Sequence, residues 1–403
     1  MRSGGFTPRG AVRDTPLLTR RIPYARQSIG AEDMTAVAEV LASDWLTQGP
    51  VVPSFEKALA GYCGAEHAVA TSSASAALHL ACKALGLGPG DVLWTSPITF
   101  VASANCGVHC GATVDFVDID PKTFNISVKA LEQKLEDAAV QRRLPKVLVP
   151  VHFSGQSCDM AAIGSLAKRY GFSVIEDASH ALGGNAFGGP VGECRFSDVV
   201  VFSFHPVKII TTGEGGAALT NRADLAARIR LLRSHGITRE AQDMEGPSEG
   251  PWYYEQVDLG FNYRMTDIQA ALGLSQLSRL KEFVSRRKQL ALRYESALAD
   301  LPSVVPPFSE PWQESAWHLY VIQVPKARRA IFDSLYKAGI HVNVHYIPVH
   351  LQPFYRKRGF GRGSFPTAEA YYESALSLPL YVGLSESDQD YVLAQLRAAI
   401  SCE

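Results

Sequence analysis

The chain carries almost no net charge. Its 39 Lys and Arg stand against 40 Asp and Glu, for a formal charge of −1 over 403 residues. That balance removes the electrostatic footprint of a protein whose main partner is nucleic acid or an acidic membrane surface. Long apolar runs are missing as well. None approaches the roughly 18 residues of a membrane-crossing helix, so no membrane partner is expected. The seven cysteines are odd in number and scattered, with no Cys-x-x-Cys pair. This argues against a disulfide framework and for free thiols in a reducing, cytoplasmic setting. Cys106, His109 and Cys110 share a helix face. No fourth ligand stands near them in sequence, so they read as core and no metal is expected. There is no Gly-Lys-Ser/Thr loop and no His-Glu-x-x-His. The run Gly86-Leu87-Gly88-Pro89-Gly90 lacks the third glycine of a dinucleotide fingerprint and follows a helix pattern, so it reads as a turn.

What is present is a regular alternation. Residues 1–21 hold Arg2, Arg9, Arg13, Arg20 and Arg21 against Asp14, with no apolar stretch of a secretory signal, and read as a loose tail. From His67 to about Ser234, β-branched runs of four or five residues alternate with helical patterns. Such alternation predicts an α/β architecture, a mostly parallel sheet with helices on both faces. The segment 187–197 reads as a hairpin insert. Residues 236–262 are rich in Gly, Pro and aromatics and lack any period, and a loop of that length usually has a function. Amphipathic helices from Thr266 to about Leu298 lead into a smaller unit. There 317–324 and 340–346 read as strands, and 368–377 and 387–400 as helices. The expected division is a tail at 1–21, a large domain at 22–280 and a small C-terminal α+β domain at 281–403.

The chemistry gathers at 199–216. Val199–Phe202 reads as a buried strand that runs into Ser203, His205 and Lys208, with Pro206 forbidding a simple helix. A lone lysine there would read as solvated. Here a second buried strand, upstream, ends on Asp177. A strand-end acid and a loop lysine are what pyridoxal phosphate asks for: a carboxylate for its ring nitrogen and an amine for its aldehyde. Thr71-Ser72-Ser73-Ala74-Ser75 joins a strand to a helix, so the helix N-terminus, with Ser75 and the Ala74 amide, suits the phosphate, and Ser203 adds a hydroxyl. Phe100, after a strand, can stack on the ring. His180, three residues past Asp177, can reach the ring's 3′ oxygen.

Four segments make the sequence similar to the DegT/StrS-like sugar-nucleotide aminotransferases of pyridoxal phosphate fold type I. They are Trp-Leu-Thr-Gln-Gly-Pro, Glu-Asp-Ala-Ser-His-Ala-Leu-Gly, Phe-Ser-Phe-His-Pro-Val-Lys-Ile-Ile-Thr-Thr-Gly-Glu-Gly-Gly and Gly-Phe-Asn-Tyr-Arg-Met-Thr-Asp-Ile-Gln-Ala-Ala. The likeness covers about 22–403. Pro-Ile-Thr-Phe-Val-Ala, Val-His-Phe-Ser-Gly-Gln, Pro-Trp-Tyr-Tyr-Glu-Gln and Val-His-Tyr-Ile-Pro-Val-His bring it nearest the pseudaminic acid branch. The resemblance implies a seven-stranded sheet and a homodimer with shared active sites. It implies transfer of the amino group of L-glutamate to C4 of a UDP-linked 4-keto-6-deoxy-HexNAc, with pyridoxamine phosphate as the intermediate cofactor form. It makes Lys208 the cofactor-linked lysine and Asp177 the pyridine partner, with Ala74, Ser75 and Ser203 on the phosphate. Ala74 stands where the family has glycine, and Ser75 where it has threonine. Asn262 matches an asparagine that reaches the phosphate of the neighbouring subunit. Thr47, Gln48, His345 and Tyr346 are expected at the sugar, joined by Tyr254 and Arg264 from the second chain.

Three rivals remain at this stage. One is an aminotransferase for another nucleotide-linked keto sugar. Another is a pyridoxamine phosphate-dependent dehydratase, whose branch replaces the lysine by histidine and which Lys208 therefore disfavours. The last is a non-catalytic protein on the same fold. Its one supporting stretch is Arg356-Lys357-Arg358-Gly359-Phe360-Gly361-Arg362-Gly363, basic but short.

Overall fold

The computed structural model describes residues 20–324 and 327–401. Of the tail expected at 1–21, residues 1–19 therefore lie outside the described residues. Arg20 pairs with Asp388, and Ile22–Pro23 lies parallel to Ile340–His341. The chain thus enters beside its own C-terminal part. Two helices follow, α1 (Ala31–Leu41) and α2 (Val51–Cys63). Gly64 ends α2 in the left-handed conformation, φ 72°, that a helix stop favours.

The alternating stretch forms β1 (His67–Thr71), α3 (Ala74–Ala84), β2 (Val92–Thr95), α4 (Ala102–His109), β3 (Thr113–Phe116), α5 (Val128–Val140), β4 (Val147–Val149), α6 (Met160–Tyr170), β5 (Ser173–Asp177), β6 (Val199–Ser203), β7 (Gly216–Thr220) and α7 (Ala223–Arg233). The seven strands make one sheet in the order β1-β7-β6-β5-β4-β2-β3. Only β7 runs against its neighbours, and the other pairings are parallel. A parallel sheet is covered on both faces, so its strands are apolar throughout. β6 shows this directly. Val199 and Val201 pack with Leu80, Ala104 and Ile229 on one side, and Val200 and Phe202 with Phe55, Leu59 and Phe283 on the other. Each such side chain contributes about 1.5–3 kcal/mol by leaving water.

Beyond the sheet come α8 (Asp267–Ser278) and α9 (Leu280–Leu298). A separate apolar cluster then forms around the antiparallel pair β8 (Tyr320–Gln323) and β9 (Ala375–Leu378), with α10 (Arg328–Lys337) and the final helix Glu386–Ser401. The hairpin at 187–197 is present as Asn185–Ala186 against Gly189–Pro190. The 236–262 loop holds only a short turn of helix and the pair Ile237–Thr238 with Glu255–Gln256.

Two expected elements differ. The strand read over 340–346 is a strand only at Ile340–His341, after which 343–347 turns to line a cleft. The helix read over 368–377 is a helix at Pro366–Ser374 that passes straight into β9. A run such as Ala375-Leu376-Ser377-Leu378 is too short for its period to separate strand from helix. Among the described residues, no helix is long and apolar enough to cross a membrane.

Candidate active site

In an open α/β sheet, ligands settle outside the carboxyl ends of the strands. Here β5 ends on Asp177 and β6 on Ser203, and the two strands are direct neighbours, with Asp177 opposite Val201. The loop after β6 folds back on itself. Phe204 donates its N–H to Gly215 (2.9 Å), Thr212 returns one to Phe204 (3.0 Å), and Lys208 closes a turn on the His205 carbonyl (2.8 Å). This fixed loop turns the lysine back over the strand tips. Asp177, Lys208, Ser203, Ala74, Ser75, Phe100, His180, His345 and Tyr346 all line one cavity of about 660 Å³.

Asp177 is 5% exposed. Its Oδ2 accepts the Ser103 hydroxyl (2.6 Å) and its Oδ1 the Ser179 N–H (3.2 Å). Among the described residues no cationic side chain pairs with it within bonding distance. A buried carboxylate in that state asks for a cation from a ligand. Lys208 is the charge it feels. Burial pulls the lysine down to about 8, and the attraction of Asp177 opposes that pull. The ammonium makes no hydrogen bond among the described residues, which leaves the amine free to react near neutral pH.

The phosphate end is built at the start of α3. Ser73 caps the helix by accepting the Ala76 N–H (3.1 Å). The amides of Ala74 and Ser75, first in the helix, have no acceptor among the described residues. Free N–H groups at a helix start bind anions. Ala74 sits in ordinary helical backbone, so alanine serves there as well as glycine would. The close approach falls elsewhere. A Cβ on Gly216 would meet the Ala74 nitrogen at 2.3 Å, so the first residue of β7 must be glycine for the cradle to form. Phe100 is 60% exposed at the cleft edge, its ring 6.5 Å from that of Tyr346. An aromatic left so bare suits a stacking partner from a ligand. A buried carboxylate without a cation, an unbonded lysine and two open helix amides, all on one cavity, fit pyridoxal phosphate.

His180 is engaged at both nitrogens. Nδ1 accepts the Ser154 N–H (3.3 Å), so the proton sits on Nε2, which faces the Tyr346 hydroxyl (3.1 Å). A ligand oxygen would share that Nε2 proton with Tyr346. Burial first, then the positive charge of Lys208, pushes His180 well below the usual histidine range. His345, whose Nδ1 bonds the Ser377 hydroxyl (2.7 Å), is held down to about 3 by burial and then by Lys208. Both rings are therefore neutral at any physiological pH. The sequence reading missed His318. Its ring lies 4.4 Å from His180, it lines the same cavity, and its buried Nδ1 has no partner among the described residues. It stands in a strand-like run where a histidine reads as core. Tyr24, Asn343 and Glu214 also line the cleft unanticipated.

Thr47, Gln48, Tyr254, Asn262 and Arg264 do not line the cleft of their own chain. The first four are exposed, and Arg264 is half-buried with its backbone bridged to Thr71. Asn262 bridges Ser234. The 45–50 loop hangs on a residue that the sequence reading quoted but gave no role. Asp267, fully buried, accepts the N–H groups of Gly49 (2.7 Å), Val51 (2.8 Å) and Val52 (3.1 Å). An acid at a helix start, directly after the capping Thr266 and three residues past Arg264, was the available signal.

Against known proteins, the sequence pattern described as the DegT/DnrJ/EryC1/StrS aminotransferase family matches residues 27–397. The spore coat polysaccharide biosynthesis protein SpsC of Bacillus subtilis is 44% identical over 383 residues, covering 93% of this chain and 96% of its own. Among solved structures, Helicobacter pylori PseC, an aminotransferase involved in the biosynthesis of pseudaminic acid, superposes with a TM-score of 0.87 at 32% identity. The match covers 95% of this chain and all (100%) of PseC. The putative sugar aminotransferase Spr1654 of Streptococcus pneumoniae matches at 32% identity in its pyridoxamine phosphate form (TM-score 0.86) and its pyridoxal phosphate form (0.85). Each covers 95% of this chain, and 100% and 99% of that one.

Proposed function

The chain belongs to the DegT/DnrJ/EryC1/StrS aminotransferase family, and from that premise we propose a pyridoxal phosphate-dependent transfer of the L-glutamate amino group to C4 of a UDP-linked 4-keto-6-deoxy-HexNAc. The observation that carries the chemistry is Asp177 at the tip of β5 and Lys208 in the loop that follows the neighbouring β6, both lining one cavity. The substrate reading leans on the likeness to PseC and on the motifs of the pseudaminic acid branch.

When bound, pyridoxal phosphate supplies an electron sink next to the substrate carbon. This chain's residues do the rest. Asp177, steadied by Ser103, keeps the ring nitrogen protonated. The Ala74 and Ser75 amides and the Ser203 hydroxyl hold the phosphate. Phe100 covers one face, and His180 offers its Nε2 proton to the ring oxygen. Lys208, with its amine poised near 8, would take the proton from Cα of glutamate in the first half and deliver a proton to C4 of the sugar in the second, serving as base and then acid within each half. His345 and Tyr346 face the sugar from the small domain, which we place at 281–403. Thr47, Gln48, Tyr254, Asn262 and Arg264, outside their own cleft, are assigned to a neighbouring subunit's site in a homodimer.

The test is to supply the purified protein with pyridoxal phosphate, L-glutamate and a panel of UDP-4-keto sugars, and to follow 2-oxoglutarate against amino sugar. Stoichiometric formation of both supports the reading. Loss of a sugar hydroxyl without glutamate consumption would make the protein a dehydratase.

A further inference from the structure

Behind the strand that carries Asp177 stands a second buried acid that the reaction leaves unused. Successive side chains of a strand point to opposite faces, so Glu176 lies on the far side of β5 from Asp177, away from the cleft. It is 6% exposed. Its Oε2 bonds His152 Nε2 (2.6 Å), and its Oε1 accepts the Ser197 hydroxyl (2.5 Å). His152 is fully buried, and its Nδ1 accepts the Cys158 N–H (3.1 Å), which leaves the ring proton on Nε2 and aimed at Glu176.

The same histidine holds the strand tip by its backbone. Its N–H donates to the Asp177 carbonyl (3.0 Å), and the Asp177 N–H donates to the Pro150 carbonyl (2.9 Å). β4 ends at Val149, so these bonds, with the bridge between Val151 and Asp177, carry the pairing past the end of the strand. His152 thus grips two consecutive residues of β5, Glu176 by its side chain and Asp177 by its main chain. Directly after it the chain turns through Ser154 (φ 57°) and Gly155 (φ 103°). A Cβ on Gly155 would meet the Trp317 nitrogen at 2.9 Å and the His180 carbonyl oxygen at 3.0 Å, so the turn is packed against both. It is this turn that gives the Ser154 N–H to His180 Nδ1 (3.3 Å).

We propose that His152 is a positioning residue for the cofactor ring, clamping β5 from behind through Glu176 so that Asp177 and His180 reach the ring nitrogen and the 3′ oxygen together. The inference rests on the cofactor reading given under Proposed function. Neither His152 nor Glu176 lines the cleft, so both act through the residues that do. Groups at a reacting centre must be held to within about 0.5 Å. Without the bond to Glu176, the tip is held to the 150–152 segment by main-chain bonds alone. The turn keeps another anchor, the Phe153 N–H on the Asn125 side chain (2.9 Å). The fold can therefore survive while the tip loosens.

The experiment titrates the full-length protein, freed of cofactor, with pyridoxal phosphate. It reads the dissociation constant, the visible circular dichroism of the bound cofactor and the urea midpoint of the protein. In His152→Phe the dissociation constant should rise about tenfold and the visible dichroism should fall. His152→Gln, whose amide can still donate to Glu176, should recover most of both. His152→Phe leaves Glu176 short of a donor and can fail to fold, so the double change His152→Phe with Glu176→Leu supplies a second case. Apolar replacement of a buried polar pair spares stability. Its urea midpoint should stay near that of the wild type while affinity and dichroism fall as in the single variant. A pair that merely supports the fold would move the urea midpoint and leave the dichroism of the bound cofactor as it was, which overturns the proposal. A double variant that binds pyridoxal phosphate as tightly as the wild type overturns it too. Wild-type protein that binds no pyridoxal phosphate would overturn the cofactor reading itself and the clamp's role with it, a result seen before any variant is made.

Discussion

The strand tips and the outer loops of this chain are built in opposite ways. At the tips, Asp177, Ser203 and the Ala74 amide are held by short hydrogen bonds or by close backbone contact, and the groups they need are within one chain. In the outer loops, Trp252 is 71% exposed, Leu259 74% and Tyr254 51%, with Trp45 and Leu46 also bare. A chain that leaves large aromatics in water on loops bearing family motifs is presenting them to something. On the function proposed above, most groups for the cofactor lie within a single chain, Asn262 being the exception, while the acceptor half would stay open until a second copy covers it. Perturbations should therefore divide into those that stop both half-reactions and those that touch only the sugar.

The largest effect belongs to the tips. Lys208→Ala removes both nucleophile and proton carrier, so turnover should fall by at least about ten-thousand-fold in each half-reaction, read as 2-oxoglutarate from glutamate alone and amino sugar from preloaded pyridoxamine phosphate enzyme. Retained turnover in either half would remove the lysine from its role. Asp177→Asn should cost about a hundredfold or more, because a neutral amide no longer stabilises a protonated ring nitrogen. It carries a sign as well. Where Lys208 acts as a free base, the rate rises with pH through about 8. Asp177 is what raises the lysine against burial, so in Asp177→Asn that rising limb moves to lower pH. A limb that stays put or moves up contradicts the coupling.

How much of this was legible in the sequence follows the same division. Asp177, Lys208, Ser203 and the Ala74-Ser75 helix start were readable because strand ends and helix starts leave local marks, a polar residue after a β-branched run or before an apolar period. His318 was not, since a histidine inside Trp-His-Leu-Tyr-Val-Ile looks like core until the fold brings its ring, tilted, against that of His180. Residues 343–346 were misread because alternation continued in sequence after the strand had stopped, the chain being bent by its contacts with the cleft.

A smaller effect should come from the exposed loop. The double change Trp252→Ser and Leu259→Ser removes apolar surface that touches nothing vital in its own chain. If those loops cover a partner's cleft, the dimer should weaken by about ten- to a hundredfold, seen by sedimentation at falling concentration. The acceptor half-reaction should fall with it, while the strand-tip pKa near 8 stays in place. A monomer with a full acceptor rate would break the comparison at its root.

The finest test lies where the two regions meet. Asp267 sits at the head of α8 and holds the 45–50 loop through both carboxylate oxygens, Oδ2 on Gly49 and Oδ1 on Val51 and Val52. Asp267→Asn keeps the shape and one acceptor. If the amide oxygen stays on Val51 and Val52, the NH₂ group is left facing the Gly49 N–H, donor against donor. The change should lower stability by about 1–3 kcal/mol in a urea titration. It should also loosen Thr47 to Gly49 while leaving the start of α2 in place. Thr47 and Gln48 lie outside their own cleft, so that looseness can reach chemistry only through a neighbouring site. The acceptor KM should then rise about three- to tenfold with kcat and the glutamate half-reaction unchanged. If both halves slow together, the loop is serving the fold of its own chain, and the outer region is less separate from the strand tips than its exposure makes it look.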